Sequence, residues 1–250
     1  MTSKNNSTRE FQNDLLCIME KKHHWAWSQI VGPAISKFQL KIHYQQEYAV
    51  YVRDFPVFLA RIHGKNPPLE VRRMLAENIF EEDTGKLSLG ASHPALFLKM
   101  MKGLGFPPSD FETIHALPAT RRYRKWLDQV SDSPDWVLAA AVMTIFVEGS
   151  VNDRKELASS ARRKTPQQIQ RKLRTHFLVR YHSVSPQSLD LIRAHQMVEA
   201  GHRHDAYDMV VRYALSPSHR RKILAAIKKT LNLWMQYRDG VARACGLKGG

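Results

Sequence analysis

Cysteine is nearly absent from this chain of 250 residues. The two that occur, Cys17 and Cys245, stand near opposite ends and share no CxxC or other metal-ligand spacing, which argues against a disulfide framework and a structural zinc site. Such usage predicts a reduced, cytoplasmic setting. Long apolar runs are also lacking. The most apolar stretch, Trp136 to Val147, falls short of the roughly 18 residues a spanning helix needs and is closed by Glu148, so it reads as a core helix rather than a membrane span. Met1 to Gln12 is polar, which predicts no secretory leader. Alternation of β-branched residues never persists, repeats are not evident, and the 12 glycines and 12 prolines are scattered, leaving no low-complexity tract or linker. These absences point to one all-α domain over 1–250, with flexible ends at 1–8 and 245–250.

Acidic residues are outnumbered, 23 against 38 basic ones, giving a net charge of +15. That balance raises nucleic-acid binding as a reading. The basic residues are spread over Arg72-Arg73, Arg121 to Lys125, Arg162 to Lys164, Arg220 to Lys222 and Lys228-Lys229, mostly opposite apolar helical stripes. A solvated basic surface accounts for them more simply, and a small molecule is the expected partner.

What the chain does have is helical periodicity. The spacing predicts helices over Ser7–Val31, Ser36–Gly64, Leu69–Asp83, His93–Gly103, Ala119–Val130, Pro134–Arg154, Pro166–Phe177, Ser188–Leu215 and Ser218–Ala244. Gly32-Pro33, Asn66-Pro67-Pro68, Ser185-Pro186 and Ser216-Pro217 supply the breaks. Long helices with short connections favour a bundle, whose interior can hold a cofactor.

Three clusters place polar groups where the pattern wants apolar ones. Glu148 closes a stretch that is apolar on every face, where a carboxylate is costly unless paired, hydrogen-bonded or metal-bound. His195, Glu199 and His202 stand at i, i+4 and i+7 and share one helix face. Glu81-Glu82-Asp83 ends one helix, and His93 begins the next. Each has a plain reading as a helix end, a polar stripe or an acidic terminus beside a Ser92 cap. Together, Glu82, His93, Glu148, His195, Glu199 and His202 form a carboxylate and imidazole set suited to iron or manganese.

With that pattern the chain resembles the heme-oxygenase-like di-metal oxidase and oxygenase family. The family pattern is a Glu and a His around a helix break, a later Glu, then His-x3-Asp-x2-His. Tyr48 to Leu59 (YAVYVRDFPVFL) and Leu75 to Gly85 (LAENIFEEDTG) resemble its second and third helices. Glu199 stands where the family has Asp, and the Glu82 to His93 stretch is longer than in many members, which makes Glu81 and Asp83 reserve ligands. The resemblance implies a heme-oxygenase-like bundle of about seven to nine helices, two iron ions with manganese as the alternative, O2 as co-substrate, Glu148 as the catalytic carboxylate, and a reductant and homodimer as further partners. Thiaminase-like relatives need a cysteine near Glu148, which is missing. Haem could use His23 or His24 but leaves the six-residue set unexplained. Relatives that make para-aminobenzoate sacrifice a tyrosine; the matching position is Trp27, which argues against that route. A cofactor-free, pyrroloquinoline-quinone-synthase-like oxidase of an anionic aromatic substrate is the rival.

Fold does not choose the substrate, and N-oxygenation, desaturation and C–C cleavage all stay open. Arg53 and Tyr51 lie on a helix that also carries Phe55 and Phe58, while Arg154 and Tyr207 fall within about two turns of the expected ligands Glu148 and His202. These four are the expected substrate-binding residues, with Arg53 or Arg154 gripping a carboxylate. Phe55, Phe58, Ile145 and Phe146 are the expected apolar walls.

Overall fold

In the computed structural model the structure describes the backbone of residues 2–158 and 164–249, and the side chains of these apart from 2–6 and 198–202. Among the described residues there is no strand, and no helix is long and apolar enough to cross a membrane. The α-helices are α1 (Thr2–Met19), α2 (Trp27–Ile30), α3 (Lys37–Glu47), α4 (Phe55–His63), α5 (Leu69–Thr84), α6 (His93–Leu104), α7 (Pro118–Ser131), α8 (Trp136–Ala140), α9 (Asp153–Ala158), α10 (Pro166–Arg174), α11 (Phe177–His182), α12 (Asp190–Tyr213) and α13 (Pro217–Ala244).

The sequence cues act locally as expected. Ser36 and Thr165 open α3 and α10 with reciprocal capping boxes, and Ser92 and Ser216 cap α6 and α13. Two expected helices are nevertheless subdivided. Between α3 and α4 the chain widens into a π-helical segment, Tyr48–Val52, and α8 runs into a second one, Ala141–Val147. Their signature bonds skip five residues: Arg53 N donates to Tyr48 O at 3.2 Å, and Glu148 N to Met143 O at 3.3 Å. Such wide turns recur at functional sites because they re-aim the side chains that follow. The first expected helix also ends early, at Met19, and Lys22 turns inward.

Two apolar cores result. One joins α1, α4, α5, α7, α8, the second π segment and α13 through residues such as Leu15, Phe58, Leu75, Leu127, Ile145 and Ile227. The other joins α3, α6, α10 and α11 through Leu40, Phe97, Met101, Leu173 and Leu178. Each such buried side chain contributes about 1.5–3 kcal/mol. A chamber of about 530 Å³ touches both, lined by Phe55 of the first core and Leu191 of the second.

Candidate metal centre

A tight turn delivers the first histidine. Gly85 ends α5 in the left-handed region, with φ of 61°, and a Cβ there would lie 2.1 Å from Ala91 O, so only glycine closes this turn. The loop folds back onto Glu81, which is 1% exposed: Leu87 N donates to its Oε2 at 2.8 Å and Ser88 Oγ donates to its Oε1. His93, the first residue of α6, arrives against the end of α5 with Nδ1 at 2.8 Å from Glu82 Oε1 and Nε2 at 3.4 Å from Glu81 Oε1. Burial pushes the His93 pKa down, but the carboxylates of Glu82 and Glu81 outweigh it and raise it.

His195 comes from α12, its ring centre 4.9 Å from that of His93. One ligand-type atom each from Glu82, His93 and His195 lies within 4.8 Å of the others. His93 Nδ1, despite its closeness to Glu82, has no hydrogen bond of acceptable geometry and is buried. Two imidazoles and a carboxylate that converge in this way match the ligand preferences of a first-row divalent ion, and the set fits iron.

Glu148 faces the same chamber from the far end of the second π segment, its Oε1 accepting from Asn78 Nδ2 at 2.9 Å. The backbone around it is held by cations. Lys22 Nζ donates to the carbonyls of Phe146 at 2.6 Å, Val147 at 3.2 Å and Gly149 at 2.7 Å, and Arg203 Nη2 donates to Glu148 O at 2.8 Å. Helix-end carbonyls need such partners. Burial lowers the Lys22 pKa to about 7. Asp153 continues the tie, accepting from Ser150 N at 2.8 Å and from Tyr207 Oη at 3.0 Å, with Arg203 Nε at 3.4 Å.

The remaining wall carries a second polar group. Arg238 Nη2 donates to Glu47 Oε1 at 2.6 Å, and Tyr51 Oη donates to the same oxygen at 3.0 Å. Burial opposes the Glu47 charge, yet Arg238 and its other neighbours hold its pKa below the ordinary carboxylate value. The guanidinium carbon sits 5.6 Å from the Trp27 ring centre, 5.2 Å from that of Trp234 and 5.1 Å from that of Tyr237.

The expected site residues are thus distributed as follows. Glu82, His93, Glu148, His195 and Tyr51 line the chamber. Glu199 and His202 lie on α12, but their side chains fall outside the described residues. Glu81 spends its oxygens on the loop and His93, and Asp83 is exposed. Arg53 is exposed and pairs with Asp54 at 2.9 Å, and Arg154 pairs with Glu20 beside α1. Neither arginine is part of the chamber wall, because the turn at 149–152 breaks the helical geometry that would carry Arg154 inward and Arg53 follows the π segment on its outer side. Tyr207 is buried on Asp153 rather than on the chamber. The arginines in the wall are Arg203 and Arg238, and Glu47 and Lys22 were also missed by sequence reasoning. Arg238 did leave a signal: it shares the inward face of α13 with Trp234 and Val241.

A helical bundle holding imidazoles and carboxylates around an interior chamber has the architecture of helical metalloenzymes. The chain belongs to the family of iron-containing redox enzymes, whose pattern it matches over residues 42–235. The 4-aminobenzoate synthase of Nitrosomonas europaea is 20% identical over 94% of this chain and 92% of that protein. A TenA homolog from Pseudomonas syringae pv. tomato superposes with a TM-score of 0.67 at 14% identity, covering 94% of this chain and 92% of its own. A domain with a heme oxygenase-like fold from Shewanella denitrificans gives 0.64 at 17% identity, covering 97% and 92%. The fold is therefore heme-oxygenase-like.

Proposed function

We propose that the protein is a non-haem di-iron oxygenase or oxidase that uses O2 to oxidise a small, carboxylate-bearing organic molecule. The observation that carries this reading is the convergence of Glu82, His93 and His195 on a chamber that Glu148 also faces. Glu82, His93, His195 and Glu148 would hold iron, and the sequence pattern adds Glu199 and His202. Bound iron would supply the redox capacity to activate O2.

The protein's own groups prepare the place. Asn78 orients Glu148 through the 2.9 Å bond, while Lys22 and Arg203 fix the backbone on which it stands. Glu81 locks the loop that sets His93. Val52, Phe55, Val147 and Leu191 present apolar surface to the chamber, which keeps bulk water from the reacting groups. Tyr51, Glu47 and Arg238 form its polar face, where a substrate can be oriented. A cofactor-free oxidase would leave the convergence of Glu82, His93 and His195 without a role.

The test is anaerobic loading with ferrous iron, with manganese as competitor, followed by O2 exposure in the presence and absence of candidate carboxylic acids. About two ions per chain and substrate-triggered O2 consumption are expected, both lost in His93→Ala. Failure of the wild-type chain to retain any first-row ion would overturn the reading.

A further inference from the structure

The metal ligands do not account for the other end of the chamber. Glu47 and Arg238 form a buried ion pair there, 191 residues apart in sequence. Burying two charges is expensive, and such pairs gain little over apolar packing, so a pair placed in a cavity wall calls for a use. Arg238 is 7% exposed, and only its Nη2 is engaged, by Glu47 and more weakly by Tyr51 Oη at 3.4 Å. Its Nε and Nη1 are buried with no hydrogen-bond partner. Glu47 directs Oε1 to Arg238 and Tyr51, while Oε2 has His43 Nε2 at 3.7 Å, beyond hydrogen-bond reach. Both poles of the pair therefore keep unused bonding capacity. The rings of Trp27, Trp234 and Tyr237 surround the guanidinium and hold it in place.

We infer that the Glu47–Arg238 pair is the recognition point for the ammonium and carboxylate groups of a free α-amino acid. The inference rests on reading the chamber as a substrate pocket. Because the two protein charges touch, a ligand that satisfies both carries its own opposite charges on groups attached to one carbon, as an α-amino acid does. A ligand with only one charge would leave a net charge against apolar walls. The amino acid's carboxylate takes one of the two unused donors of Arg238, Nε or Nη1, which requires the Trp27 indole, 42% exposed and lining the chamber, to turn aside. Its ammonium takes Glu47 Oε2. Its side chain then extends along the same chamber toward Glu82, His93 and His195, past Val52, Phe55 and Leu191.

Calorimetric titration of the full chain, loaded with redox-inert zinc, with the proteinogenic L-amino acids tests this. The tightest binder is then compared with its des-amino acid and its decarboxylated amine, each expected to bind at least about tenfold more weakly. Glu47→Gln, close to isosteric, should weaken the amino acid and the amine about tenfold and leave the des-amino acid within about twofold. Arg238→Lys should do the reverse, and Glu47→Gln alone suffices if that variant misfolds. Absence of binding by every amino acid at millimolar concentration, or a des-amino acid that binds as tightly, overturns the inference. Metal content measured on the same samples separates the two ideas. Amino-acid binding to a chain that retains no metal sinks the oxygenase reading alone; full metal loading without amino-acid binding sinks this inference alone.

Discussion

Replacing Gly149 by alanine adds one methyl group next to Glu148, in a place already full. The new Cβ would stand 2.0 Å from Ile145 O, 2.6 Å from Asp153 Oδ2 and 2.6 Å from Met19 Cε. Gly149 does not use a positive φ, so the whole cost is steric. The Met19 methyl can turn aside. Ile145 O is backbone and cannot, and Asp153 cannot move without loosening its bonds to Ser150 N and Tyr207 Oη. Overpacking costs about 1–3 kcal/mol, and a disrupted bond to the buried carboxylate adds about 1–3 kcal/mol. The sum, about 2–6 kcal/mol, lowers Tm by about 4–24 °C for a chain of this length. Because Lys22 holds the carbonyls on either side, the displacement reaches Glu148, and any metal affinity to which Glu148 contributes should fall with stability. Differential scanning calorimetry and Co(II) titration read the two effects. Gly64→Ala is the control, since its Cβ would come no nearer than 3.4 Å to any neighbour. A Gly149→Ala protein that melts within about 2 °C of wild type and binds metal unchanged would refute the reasoning.

Lys22→Met strips donors from three carbonyls and should cost about 2–4 kcal/mol in urea unfolding; a loss below about 0.5 kcal/mol would mean that water replaces the ammonium freely. Arg53→Gln and Arg154→Gln should leave iron loading and substrate-triggered O2 consumption within about twofold of wild type, since both side chains pair outside the chamber; a tenfold loss in either would contradict that placement. Burial holds the His43 pKa down to about 4, from an ordinary 6.5. The unfolded chain therefore binds the extra proton first, and the stability tied to a neutral His43 is intact above about pH 6.5 and lost as pH falls toward 4. Phenylalanine at this position should flatten that part of the stability profile, removing up to about 3 kcal/mol of slope; an identical profile in His43→Phe would show that other groups carry it.

Much of the site is legible in sequence because local rules carry it. Glu148 stands out as a carboxylate closing an apolar run, and the Gly85 turn and Ser92 cap bracket His93. Among Glu81, Glu82 and Asp83 the sequence cannot choose, because neighbouring helix positions differ by about 100° in direction and the loop that buries Glu81 is not periodic. Arg154 shows why counting residues from a ligand fails: the chain turns at 149–152, so six residues of separation say nothing about facing. The π segments do the same to Arg53, shifting the phase of the stripe on which its expected position relied. Glu47 with Arg238, and Lys22 with the 146–149 carbonyls, are partnerships between distant parts of the chain. Nothing in local composition announces them.

Helix α12 presents His195 to His93 and, eight residues later, Arg203 to the carbonyl of Glu148. Eight residues of α-helix span about 12 Å, so α12 acts as a ruler with a fixed contact at each end. Substitutions between the two marks can vary what the ruler displays without changing its length. Inserting or deleting a single residue there turns one mark by about 100° relative to the other, so that His195 and Arg203 can no longer both reach their partners. Apart from Glu199 and His202, the segment between positions 195 and 203 should tolerate changes of composition far better than changes of length.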